Sequence, residues 1–107
     1  MLDTKKQSDL HGMDELFLKM ADFFGVLSES SRLRIMYIVC DGEKSVSEVV
    51  AFAGSSQANV SRQLTALCNA GILSRRKVGV KVYYSVADKA TVNMCQLVCS
   101  KMAKSLH

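Results

Sequence analysis

Cys95 and Cys99 lie four residues apart in a stretch with no turn signal, and Cys40 and Cys68 stand further upstream. On a helix, side chains at that spacing share one face, with Cβ atoms about 5–6 Å apart. Two thiolates so placed can jointly hold a soft, thiophilic ion such as arsenite, antimonite or cadmium, with a third thiol from Cys40 or from a second copy of the chain. A disulfide within the pair is disfavoured, because a bridge needs Cβ atoms about 3.5–4.5 Å apart. A bridge between elements or subunits stays open, as does oxidant or persulfide chemistry at the thiols. Against all of these stands simple packing: cysteine is a small, frequently buried hydrophobe, and Cys68 reads best as filler.

A second set of residues points to phosphate. From Val49 to Ala87 the chain has no Asp or Glu, yet it carries Arg62, Arg75, Arg76, Lys77 and Lys81. Setting these five apart from the 14 basic residues leaves nine against 10 acids, so one segment holds +5 and the remainder sums to −1. An ordinary solvated surface mixes both signs. A one-sign stretch beside a near-neutral remainder is the footprint of a nucleic-acid-binding face. Catalysis finds no comparable support. There is no phosphate-cradling glycine loop, and His11 and His107 lie near the ends without a nucleophile beside them. The chain is read as a non-enzyme.

The elements that must position these residues follow from periodicity. Met13, Leu16, Phe17, Met20, Phe24 and Leu27 repeat at helical spacing, after a flexible N-terminal segment over residues 1–10. Ser28 or Ser30 is expected to cap a second helix with Leu33, Met36, Tyr37 and Cys40 along one face, ending at Asp41-Gly42. Ser45 and Glu48 form a capping-box signature for a short third helix. Gly54 ends that helix, and Ser55 or Ser56 caps a fourth, running to about Ala70. Val60, Leu64 and Leu67 face inward there, leaving Gln57, Ala58, Ser61, Arg62 and Thr65 outside. Ile72–Lys77 and Lys81–Val86 read as two strands joined around Val78-Gly79-Val80, and a last helix runs from Ala87 to His107.

Gly54 is thus the turn of a helix-turn-helix, and the hairpin is its wing. The second helix of that motif offers its N-terminus at Ser56 to phosphate and its outer face to base edges. Gln57 can pair bidentately with adenine, Arg62 can reach guanine or phosphate, Ser61 can do either, and Thr65 shares this DNA-binding face. Small Ala58 lets the backbone approach. Arg75, Arg76, Lys77 and Lys81 suit the phosphate backbone or minor groove. The expected fold is mainly α with a small β-hairpin, in the order α-α-α-α-β-β-α, as one winged helix-turn-helix domain over residues 11–107. Duplex DNA is the expected partner, with an acidic protein partner as the alternative.

The run SSQANVSRQLTALCNAGILSRRKVGVKVYYSVAD resembles the winged helix-turn-helix of the ArsR/SmtB repressors, and the likeness extends upstream through Leu27-Ser28-Glu29-Ser30-Ser31-Arg32-Leu33-Arg34-Ile35. The resemblance implies a homodimer joined by its first and last helices, sitting on operator DNA and leaving when an effector binds. It also locates what is missing. Where metal-binding relatives carry paired cysteines at the start of the third helix, this chain has Ser45 and Ser47. Hydroxyls are poor ligands for soft metals. Where zinc-sensing relatives place ligands on the last helix, it keeps Asp88 but has Ala90, Lys101 and Lys104. Thiol- and persulfide-sensing relatives pair cysteines at positions matching Tyr37 and roughly Ala103. Here Cys40 lies one turn later and Cys99 one turn earlier. The sensing candidates are therefore Cys95, Cys99 and Cys40, with a thiolate-held soft ion as the one implied cofactor, or a repressor with no cysteine sensor as the alternative. The wing departs from the family in having Val80 after Gly79, where arginine is common.

Composition completes the reading. Apolar residues make up 49% of a 107-residue chain, more than one small domain easily buries. Val92, Cys95, Cys99, Met102 and Leu106 repeat at three-and-four spacing, widened by Met94, Leu97 and Val98. Such a band is expected to pack on the first helix's stripe in a twofold dimer. No apolar run is long enough to span a bilayer, and no export signal opens the chain, so a cytoplasmic location with reduced thiols is expected.

Overall fold

A computed structural model describes residues 4–106. The chain runs α1 (Thr4–Val26), α2 (Ser30–Val39), β1 (Lys44–Ser45), α3 (Val46–Ala53), α4 (Gln57–Asn69), β2 (Leu73–Val78), β3 (Lys81–Val86) and α5 (Lys89–Leu106). The four helices, hairpin and terminal helix expected from periodicity are all present. Residues 4–10, read from the sequence as part of a flexible segment, form the first turns of α1, while residues 1–3 and His107 lie outside the described residues.

The core lies where α2, α3 and α4 meet the sheet. Ile35, Met36 and Val39 of α2 pack with Val49 of α3, with Val60, Leu64 and Leu67 of α4, and with Ile72, Leu73, Tyr84 and Val92. Val60, Leu64 and Leu67 have no exposed surface, as their spacing predicts. The apolar face read on α2 is not the one that packs into the core. Met36 is shared, but Ile35 and Val39 fill the core, whereas Leu33 and Tyr37 are exposed. An apolar helix with two greasy faces reads as one stripe in sequence, and only the packing tells which face is inward.

The turns follow local chemistry. Ser45 caps α3 with a full capping box: its Oγ accepts from the Glu48 amide at 3.2 Å, and the Glu48 carboxylate accepts from the Ser45 amide at 3.0 Å. Gly54 ends α3 with φ +66, a left-handed conformation that favours glycine. The α2 cap is a correction: Glu29 holds the N-cap position without a side-chain cap, and Ser28 Oγ instead donates back to the Gly25 carbonyl. Glu29 is held through Arg32, which lies 3.3 Å away. Arg32 also donates to the buried Gln63 of α4 at 2.8 Å and to the Val26 carbonyl at 3.2 Å, tying α1, α2 and α4 together.

The sheet is three-stranded and antiparallel in the order β1-β3-β2. β1 is an addition to the sequence reading, since two residues carry no pattern; it pairs Lys44 with Tyr84 and Ser45 with Tyr83. β2 and β3 pair from Leu73↔Val86 to Val78↔Lys81, so the loop is only Gly79-Val80, with Gly79 at φ +61. The Ile72 carbonyl accepts the Ala87 and Asp88 amides and closes the hairpin base. α5 begins at Lys89, just after Asp88, whose carboxylate accepts from the Thr91 amide and hydroxyl.

Candidate nucleic-acid interface and thiol groove

Ser56 caps α4, its Oγ accepting from the Asn59 amide at 3.1 Å. The amides of Gln57 and Ala58 precede the first intrahelical donor, the Val60 amide, which bonds the Ser56 carbonyl at 3.0 Å, and such free helix-end amides favour an anion. Gln57, Ala58, Arg62 and Thr65 are exposed, and Ser61 is half-buried. Asn59, which sequence reading passed over, orders this end: its amide donates to Ser55 Oγ at 2.8 Å and its carbonyl accepts from Arg62 at 2.7 Å. Its place at i−3 from Arg62 was the available signal. Thr65 donates back to the Ser61 carbonyl at 2.9 Å, fixing its rotamer on the outer face.

Alternation along β2 divides the wing's charges between the two faces of the sheet. Arg75 and Lys77 share the face of Leu73, opposite Tyr84 and Val82; burial raises the thiol pKa of Cys68 at the end of α4, and nearby Arg75 offsets part of that rise. Arg76 occupies the other face, opposite Tyr83. Its guanidinium donates to both carboxylate oxygens of Glu43, at 2.7 and 3.1 Å, and lies 5.4 Å from the Tyr83 ring centre. That pair holds the Glu43 carboxyl below its usual range and raises Arg76. It joins residues 33 positions apart, which no local pattern signals. Lys81 is exposed beside the tip.

The cysteines lie elsewhere, outside this positive face except for Cys68. All four are free thiols. Cys40, Cys95 and Cys99 line one apolar groove of about 790 Å³ between the end of α1, the outer face of α2 and α5, together with Phe24, Leu33, Tyr37 and Met102. Cys40 donates its thiol hydrogen to the Tyr37 carbonyl at 3.0 Å and also borders a smaller hollow of about 190 Å³ beside Lys89, Asn93 and Gln96. Burial pushes the Cys95 and Cys68 thiols above their usual range. Cys99 is exposed. Among the described residues no three His, Cys, Asp or Glu side chains converge on one ion, so the three groove thiols are not a ready-made three-ligand site within one chain. Ser45 and Ser47 face each other at 3.2 Å, with Ser45 committed to the capping box.

The groove's walls are unfinished. α1 buries no residue, and Met13, Leu16, Phe17, Met20 and Phe24 are exposed along it. On α5 only Thr91 and Val92 are buried, while Leu97, Val98, Met102 and Leu106 are exposed. No described helix is long and apolar enough to cross a membrane.

A capped helix across a glycine turn from its support, followed by a two-stranded basic hairpin, defines a winged helix-turn-helix of the class that regulates transcription. Residues 29–75 match the family model described as bacterial regulatory protein, arsR family. Over 94 residues, covering 87% of this chain and 82% of the relative, it is 32% identical to the uncharacterized HTH-type transcriptional regulator Rv0081 of Mycobacterium tuberculosis. The chain belongs to the ArsR family. The crystal structure of Rv0081 superposes with a TM-score of 0.76 at 28% identity, covering 85% of this chain and 92% of that one. A transcriptional repressor SmtB homolog of Synechocystis sp. is 36% identical over 87 residues, 81% of this chain. This chain spans 66% of that repressor's length. The homodimeric winged helix-turn-helix domain Mb0332 of Mycobacterium bovis shares the fold, with a TM-score of 0.80 at 24% identity and coverage of 89% and 88%.

Proposed function

We propose that the chain is a dimeric repressor that sits on operator DNA and leaves it when a thiol-reactive effector acts in the α1–α2–α5 groove. The observation that carries the DNA half is the capped outer face of α4 beside the acid-free wing. Ser56 and the Gln57 and Ala58 amides take phosphate at the helix end, Gln57, Ser61, Arg62 and Thr65 reach base edges or phosphate, and Arg75, Lys77 and Lys81 grip the backbone. The homodimeric M. bovis neighbour and the exposed apolar stripes of α1 and α5 support a second copy covering the groove. A twofold dimer sets two copies of α4 about one DNA turn apart, on a near-palindromic site.

The sensing half rests on Cys40, Cys95 and Cys99 sharing one groove that borders the dimer face. Exposed Cys99 is the first thiol an effector meets; Cys95, held neutral by burial, is the slower partner. A soft metal or metalloid ion would take two thiolates from one chain and a third from its partner, while an oxidant or persulfide would modify Cys99 first. Either outcome adds bulk or charge to an apolar contact that the DNA-bound dimer needs. Purified protein on its operator, titrated in turn with arsenite, cadmium, zinc, peroxide and a persulfide donor, tests this reading. At least one should release the wild type and leave the Cys95→Ser plus Cys99→Ser variant bound. Release of both proteins alike would place the sensor elsewhere.

A further inference from the structure

Arg76 differs from every other cation of the positive face. Both arms of its guanidinium are committed to one carboxylate, that of Glu43, and its Cζ lies over the Tyr83 ring, 5.4 Å from the ring centre. A bidentate pair of this kind is geometrically specific and electrically neutral, so it offers a phosphate little. Its position in the sheet is informative. The register runs Arg75–Tyr84–Lys44 and then Arg76–Tyr83–Ser45 across three strands. Beyond that row β1 has ended, and only Lys77↔Val82 and Val78↔Lys81 continue to the tip. A two-stranded ribbon is marginally stable alone and depends on the contacts at its base. The Glu43–Arg76–Tyr83 contact therefore starts from Arg76 and Tyr83 on the last three-stranded row, at the base of the two-stranded tip, and reaches Glu43 just ahead of β1. Its other end is the segment that caps α3 through Ser45.

We propose that Arg76 is a positioning residue, not a phosphate contact: its clamp on Glu43 and Tyr83 fixes the angle of the wing against the helix-turn-helix. Arg75, Lys77 and Lys81 then carry the charge. Glu43 makes the proposal sharp, because it is an acid at the root of a DNA-facing wing. Coulomb attraction alone predicts that removing it tightens DNA binding. The clamp predicts that removing it weakens binding. Its role in affinity rests on the DNA-binding reading above, whereas the clamp itself is measurable without DNA.

The test uses the full chain with Glu43→Gln, Arg76→Ala, both together, the exchanged pair Glu43→Arg plus Arg76→Glu, and Lys77→Ala as the phosphate control. Amide hydrogen exchange of residues 77–82 is followed without DNA, and duplex affinity is followed against salt. Glu43→Gln and Arg76→Ala should each speed exchange at the wing about fivefold, near the upper end for an exposed pair. Each should weaken duplex binding with an unchanged salt slope. The double variant should be no weaker than either single one, and the exchanged pair should restore both readouts. Lys77→Ala should leave exchange unchanged and reduce the salt slope by about one. Tighter or equal binding by Glu43→Gln, a shallower slope for Arg76→Ala, or unchanged wing exchange in both would overturn the clamp. A wild-type chain that binds no duplex would defeat the DNA reading, and the exchange result would still decide the clamp.

Discussion

The two ends of this molecule are built to different degrees of completion. The α4–wing end is finished within one chain: Ser56 caps its helix, Asn59 orders Ser55 and Arg62, and Glu43 anchors Arg76. The α1–α5 end is not. Its longest helix buries nothing, its last helix buries only Thr91 and Val92, and three of the four thiols open into the groove between. A surface prepared for a polar ligand can be pre-organised by hydrogen bonds in the free protein. An apolar surface acquires its geometry only when something covers it. On this account DNA reading is local and preset, while regulation is a property of the assembly.

The contrast is broken most severely by attacking the unfinished end. Replacing Leu97 and Met102 by Asp should give monomers in sedimentation and lower operator affinity roughly a hundredfold or more, because the second reading head no longer adds its effective concentration. A variant that stays dimeric with full affinity would show that this face is not the interface. Next in size, Arg62→Ala and Lys77→Ala should each weaken duplex binding about tenfold, with Lys77→Ala also lowering the salt slope by about one. Loss of the Ser56 cap in Ser56→Ala should cost about 1 kcal/mol, read as a thermal midpoint lower by about 4–8 °C. It should leave the dimer intact.

Acid should loosen the carboxylate contacts at the root of the wing, around α3 and at the start of α5. Asp41, Glu43, Glu48 and Asp88 are held below their usual pKa by Lys44, Arg76, the Ser45 amide and Thr91 respectively. Depressed carboxylates contribute stability above their unfolded pKa and lose it as pH falls through the folded one. Thermal midpoints should therefore be level above the carboxylate range and fall below about pH 4, with Glu43→Gln falling less steeply. Smallest of all, Cys95→Ser plus Cys99→Ser should leave duplex affinity within about twofold, since both thiols lie in the α1–α2–α5 groove and not on the α4–wing face, a change well under the tenfold worth about 1.4 kcal/mol. The same variant should lose effector-driven release.

What sequence made legible divides along the same line. The capping box at Ser45 and Glu48, the glycine turn at Gly54 and the inward set Val60, Leu64 and Leu67 are written within a few residues of each other, and all are present. The shared face of Cys95 and Cys99 followed from helical spacing on α5, and Cys40 joins their groove because α2 turns its second apolar face outward. What escaped was non-local. The Arg32–Gln63 hydrogen bond and the Glu43–Arg76 pair span 31 and 33 residues, and β1 exists only because β3 lies beside it. Neither periodicity nor composition encodes such pairings; they are consequences of the tertiary packing. The α2 cap at Glu29 was missed for a related reason, since its carboxylate serves Arg32 and not its own helix end.

The most direct test is the affinity of the wild-type chain for operator duplex, measured from low to high salt beside Arg62→Ala and Lys77→Ala. The account predicts a steep linear fall of log affinity with log salt, with a slope of about −0.9 for each phosphate neutralised, and weaker binding by both variants at fixed salt. Affinity indifferent to salt, or two variants that bind as tightly as the wild type, would contradict the claim that the acid-free face reads DNA.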